Sequence, residues 1–222
     1  MNQNEKVKVS CMGDSITFGW MSTSPEKSYP SILQSLLGEA YSVENFGLSG
    51  ATVINDYDFA AGRYSPYSKS EEYKQALESD PDIVILMPGM NDANPTHYFN
   101  KENGGGISEY YLDFYQTALT DMIKLLKNLP TSPDVYLIKT TQMRRKTEDG
   151  FEPDYVRFFL ENLVKLRKIQ EKVAQTTKIN LIDTYEDMQK GSYYGDGCHL
   201  TDEGYHKLAE SVWKGLEKQI VG

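Results

Sequence analysis

The chain has 222 residues, enough for one domain with a full apolar core that needs neither disulfides nor metals. Hydrophobic residues at 39% and charged residues at 25% exclude a disordered chain, and no run reaches the roughly 18 apolar residues that a membrane span requires. A net charge of -9 without any basic stripe excludes a nucleic-acid partner.

Residues 1–8 are polar and lack the apolar centre of a signal peptide, so a cytoplasmic location is expected. Residues 7–12 then read as a buried strand, and they lead directly into Gly13-Asp14-Ser15-Ile16-Thr17-Phe18-Gly19. Pro30 suits the first turn of a helix that ends near Gly38. Further short apolar runs bounded by turn residues predict strands at 41–46, 83–87, 135–138 and 179–182. Between them, Leu112, Tyr115, Leu119, Met122 and Leu126 recur at helical spacing, as do Phe159, Leu163, Leu166, Ile169 and Val173. Thr201 followed by Asp202 and Glu203 caps the last helix, with acids at its positive end.

Strands alternating with helices predict an α/β fold, a three-layer α/β/α sandwich around a mostly parallel five-stranded sheet, as a single domain over 1–222. In such folds the loops after the carboxyl ends of the strands build the site. Three long irregular stretches, 54–70, 93–107 and 140–153, are expected to shape it. Cys11 and Cys198 are too few for a disulfide framework and are expected to pack as small apolar residues.

The chemistry lies at the two ends of the chain. A serine hydroxyl is a poor nucleophile until a base takes its proton, and imidazole does this near neutral pH. Ser15 is the candidate nucleophile and His199, in Asp196-Gly197-Cys198-His199, the candidate base. Asp196, three positions earlier on the same loop, would fix the imidazole tautomer and stabilise the imidazolium. Asp14 cannot serve as that acid, since a neighbour of the nucleophile does not reach the far side of His199; it is expected to tie down the loop. No Gly-x-Ser-x-Gly elbow, phosphate loop, dinucleotide fingerprint or metal-ligand cluster is present, so neither cofactor nor metal is expected.

Four blocks in order, Gly13-Asp14-Ser15, Asn45-Phe46-Gly47-Leu48-Ser49-Gly50, Gly89-Met90-Asn91-Asp92 and Asp196 to His199, resemble those of the SGNH hydrolases, also called the GDSL esterase family. The resemblance spans nearly the whole chain and implies a flavodoxin-like strand order 2-1-3-4-5. It assigns the oxyanion donors to the backbone N–H groups of Ser15 and Gly47 and the Asn91 side chain. Gly47 fits physically, because a residue without Cβ lets a carbonyl approach closely. Met90 and Leu200 depart from the family pattern without supplying a reacting group.

Within the family the chain looks most like bacterial carbohydrate O-acetylesterases. The implied function is a serine carboxylic ester hydrolase, an acetylesterase forming an acyl-enzyme on Ser15, whose partner is a small-molecule or oligosaccharide ester. Two alternatives stand beside it: a lysophospholipase or thioesterase with a longer acyl groove, and a catalytically silent glycan-binding protein. Candidate substrate contacts are Asp14, Tyr64, His97, Arg144 and Arg145. Either arginine would hold an acidic sugar's carboxylate, and Tyr64 belongs with Tyr57, Phe59, Tyr67, Tyr98 and Phe99 as rings able either to stack on sugars or to pack the loops. Asp92 is expected to stabilise its own turn, and His206 to pack or face solvent.

Overall fold

A computed structural model describes residues 5–55, 65–98 and 105–220. Five parallel strands form one sheet: β1 (Val7–Gly13), β2 (Tyr41–Gly47), β3 (Ile83–Met87), β4 (Asp134–Ile138) and β5 (Asn180–Ile182). Their order is β2-β1-β3-β4-β5, the order expected. Every residue of β3 is buried, as a central parallel strand covered on both faces must be.

Among the described residues six α-helices accompany the sheet: α1 (Ser15–Phe18), α2 (Tyr29–Leu37), α3 (Glu71–Glu78), α4 (Glu109–Lys127), α5 (Pro153–Thr177) and α6 (Asp202–Ile220). Right-handed crossovers send α2 to one face and α3, α4 and α5 to the other. α2 packs on α6 and α4 on α5, which makes the three layers. The helix faces read from spacing are the buried ones: Leu112, Tyr115, Leu119, Met122 and Leu126 on α4, and Phe159, Leu163, Leu166 and Val173 on α5, with Ile169 partly buried.

The register of the sheet positions the site. Gly13 pairs with Gly47 on one side and with Met87 on the other, so β1, β2 and β3 end level. The segments after them, beginning at Asp14, Leu48 and Pro88, therefore emerge side by side at one edge. A second, two-residue parallel ladder joins Ala51–Thr52 to Ser65–Pro66 and folds the segment after β2 back on itself. Cys11 and Cys198 are both buried and unbridged, with burial pushing each thiol up to about 12.

Two amides on the buried face of α5 hold the loops over this edge. Gln170 donates to Pro88 O at 2.9 Å and accepts from Thr140 N at 3.0 Å. Asn162 donates to Ala93 O and Gly105 O, both at 3.0 Å, and accepts from Ile107 N at 2.9 Å. Both are fully buried, and each makes at least three hydrogen bonds, so neither leaves an uncompensated polar group in the core.

Candidate active site

The Ser15 corner follows from the turn after β1. Asp14 caps α1, its Oδ1 accepting from Ile16 N at 2.9 Å, which sets Ser15 at the first helical position. A Cβ at Gly13 would collide with Met87 O and Thr17 Oγ1, so only glycine lets the turn form this close to β3. Ser15 Oγ lies 3.0 Å from His199 Nε2.

The opposite corner is one tight loop. His199 Nδ1 lies 2.8 Å from Asp196 Oδ2, and Asp196 Oδ1 accepts from Cys198 N at 2.9 Å and His199 N at 2.7 Å. Burial opposes ionisation of Asp196, but the His199 ring and the two backbone N–H groups outweigh it and hold the carboxyl well below the usual range. The loop is closed by Gly195 N donating to His199 O at 2.8 Å and by an antiparallel bridge between Tyr194 and Leu200. Arg145 braces it from behind: its guanidinium lies 3.5 Å from Asp196 Oδ2, donates to Tyr155 Oη at 2.9 Å and stacks over Phe151 at 4.8 Å.

Gly47 is not among the residues that line the cleft with Ser15. Gly47 is still the last residue of β2, its N–H is donated to Asn45 Oδ1 at 2.9 Å, and a Cβ there would strike the backbone at Thr17 and Phe18. Its lack of a Cβ serves helix packing, not carbonyl approach. The glycine that lines the cleft with Ser15 is Gly50, in the left-handed region at φ 81°. Asn91 lines it too, one amide hydrogen committed to Ala51 O at 2.9 Å and the second left for a ligand. These groups share an open cleft of about 780 Å³, whose walls include Trp20, Ser49, Thr96, Arg145, Phe151 and Tyr155.

Residues 11–207 match the model of the GDSL-like lipase/acylhydrolase family, most of the chain and all four blocks. The chain belongs to this family. It is 27% identical to an acetylxylan esterase of Xylanibacter ruminicola over 95% of its own length, and spans 43% of that protein, less than half. Among solved structures, the Sinorhizobium meliloti carbohydrate acetylesterase Est24 superposes with a TM-score of 0.75 at 18% identity, covering 96% of this chain and 99% of the other. The M. smegmatis aryl esterase gives 0.71 at 19%, covering 96% and 99%. At such identities these two establish the shared fold.

The remaining candidates sort by position within this acylhydrolase framework. Asp14 is a buried helix cap and does not reach the cleft as a substrate contact; burial pushes its carboxyl up to about 6. Asp92 holds more than its own turn: it accepts from Val53 N at 3.0 Å and Ile54 N at 2.9 Å, tying the segment after β2 to that after β3. Of the arginines, Arg145 lines the cleft, whereas Arg144 turns away and donates to Gln189 O and Oε1, both at 2.7 Å. His97 is not among the residues lining the cleft; its neighbour Thr96 is. Tyr64, with Tyr57, Phe59 and Phe99, lies outside the described residues, while Tyr67 and Tyr98 are buried and donate to Phe46 O and Asp92 O. His206 is exposed beside Glu210.

Sequence reasoning missed Gly50, Trp20 and Tyr155. For Trp20 a signal existed: Phe18-Gly19-Trp20-Met21 continues as an apolar run where the turn motif calls for polar residues. Among the described residues no group of three His, Cys, Asp or Glu side chains is placed to hold a metal ion, and no helix is long and apolar enough to cross a membrane.

Proposed function

We propose that residues 1–222 act as one serine carboxylic ester hydrolase unit that removes O-acetyl groups from a carbohydrate. The observation that carries this reading is the unbroken relay from Ser15 Oγ to His199 Nε2 at 3.0 Å and from His199 Nδ1 to Asp196 Oδ2 at 2.8 Å, opening into a cleft shared with Gly50 and Asn91. In the first step His199 takes the Ser15 proton as Oγ attacks the ester carbonyl carbon. The carbonyl π pair moves to oxygen, where the N–H groups of Ser15 and Gly50 and the free Asn91 amide hydrogen receive the charge. Collapse expels the sugar hydroxyl, protonated by His199, and leaves acetyl on Ser15. Water, deprotonated by His199, then attacks the acyl-enzyme and releases acetate.

The acetyl and carbohydrate parts of the reading draw on the acetylxylan esterase relative and on the polar rim of the cleft formed by Ser49, Asn91 and Thr96. The test is acetate release from acetylated xylan, mannan and pectin fragments and from O-acetylated sialic acids, beside a p-nitrophenyl ester series of increasing acyl length. Acetate is expected as the product and the acetyl ester as the best of the series. A preference for acyl chains of eight carbons or more would overturn the acetylesterase reading. Ser15→Ala is expected to lower kcat by about four to six orders of magnitude, and undiminished activity would overturn the mechanism and leave the glycan-binding alternative with a separate hydrolase to find.

A further inference from the structure

The loop after α1 takes no part in the relay, yet it is tied down at many points. Ser22 N and Oγ both donate to Gly19 O, at 3.0 and 2.7 Å, and Ser22 Oγ also lies 3.0 Å from Ser24 O. Thr23 N and Oγ1 grip the two oxygens of Asp202 at 2.9 and 2.5 Å, and Tyr205 Oη donates to Trp20 O at 2.7 Å. Met21 is held in the left-handed region at φ 69°, a conformation that a methionine adopts only where its surroundings impose it. This loop has one fixed shape.

That shape points large apolar side chains outward. Phe18, Trp20 and Met21 are 52%, 50% and 48% exposed, three in four positions, which burial energetics alone would not favour. They line an open groove of about 810 Å³ together with the segment 22–25, Asn45 and Glu72. Trp20 also lines the cleft that holds Ser15, and its ring centre lies 6.3 Å from that of His199. The two depressions therefore meet across one indole.

We propose that this groove is a second sugar subsite: the residue next to the acetylated one in a glycan chain stacks on Phe18 and Trp20, so the substrate is an oligosaccharide or polysaccharide. A pyranose ring offers apolar C–H faces edged by hydroxyls, and it needs flat aromatic surface beside polar groups. Phe18 and Trp20 supply the rings, while the Glu72 carboxylate and the remaining Asn45 amide hydrogen supply the edge. An acyl chain would instead favour an enclosed, wholly apolar slot, whereas this groove is open and edged by Ser22, Thr23, Ser24, Asn45 and Glu72. Each depression falls within the roughly 300–1,000 Å³ that accommodates a small ligand, so each has room for a sugar unit.

The proposal rests on the carbohydrate reading above, and its test separates the two. Acetylated xylose, xylobiose and xylotetraose and the matching mannose series are compared by kcat/KM in the wild type, Phe18→Ala and Phe18→Leu, the last keeping apolar volume without a ring. The wild type is expected to favour the tetrasaccharide over the monosaccharide, and both variants to lose about three- to tenfold of that preference, mainly through KM. Wild type that deacetylates the monosaccharide equally well leaves the carbohydrate reading intact and overturns the subsite, as does an unchanged preference in both variants. Failure to deacetylate either series, with Phe18→Ala weakening hydrolysis of long-chain p-nitrophenyl esters, overturns both in favour of an acyl groove.

Discussion

The two sides of the cleft are held by opposite means. Ser15, Gly50 and Asn91 stand on strand ends whose supports, Asp14, Asp92, Asn162 and Gln170, are all buried. His199 stands on a loop whose support is the half-exposed Asp196, with Arg145 behind it. Buried hydrogen bonds are screened little by salt, whereas charges near water are screened strongly. The side that carries Ser15 is thus fixed by packing, and the side that carries His199 is tuned by electrostatics. The difference teaches where sensitivity to solution conditions resides.

The largest effect expected from testing this contrast comes from the fixed side. Asn91→Ala should lower kcat roughly 100- to 1,000-fold with little change in KM, as for loss of one oxyanion donor, and steady-state kinetics at low and high salt should give the same factor. A loss that grew or shrank with salt would break the contrast.

Arg145→Gln should act on the other side. Removing the cation takes away the charge 3.5 Å from Asp196 Oδ2 and loosens the loop that orients His199. At neutral pH a loss of about tenfold or less is expected, diminishing with added salt in the wild-type comparison. A loss that added salt leaves unchanged would reduce Arg145 to a packing residue.

The smallest effect is on stability and has opposite signs on the two sides. Burial pushes the Asp92 carboxyl up to about 7, with the nearby Asp14 adding to the shift, from an ordinary value of about 3.9. The folded state therefore keeps a proton that the unfolded chain releases, and this stabilisation, complete below about pH 4, is lost as pH rises toward 7. Asp196, held low, contributes stability that is instead lost as pH falls below the ordinary carboxylate range. Asp92→Asn should lose less Tm than wild type between pH 4.5 and 8 in a thermal melt series; an equal loss would place the linkage elsewhere.

Much of this was legible in sequence because period and punctuation are local. The five strands and the buried faces of α4 and α5 were readable in this way, whereas the strand order came with the family resemblance. What was not legible depended on register. Gly47 and Gly50 lie three apart in one block, and only the pairing of Gly13 with Gly47 shows that the first is still strand, lying under α1, while the second has reached the cleft. Asn162 and Gln170 read as polar breaks in an apolar helix face, since their partners lie 55 or more and 30 or more positions away. Asp92 likewise reaches across 38 and 39 positions, which no local turn rule anticipates.

The amides of α5 also bear on the order of assembly. The turn beyond β3 is pinned to a helix whose residues are synthesised some eighty positions later, Gln170 holding Pro88 O, and the serine meets its histidine across 184 positions. A nascent chain that has emerged as far as β4 carries Ser15 but lacks both the clamp and His199. The contacts that join Ser15, His199 and Asp196 are thus completed only when the final third of the polypeptide docks, so their closure marks completed folding.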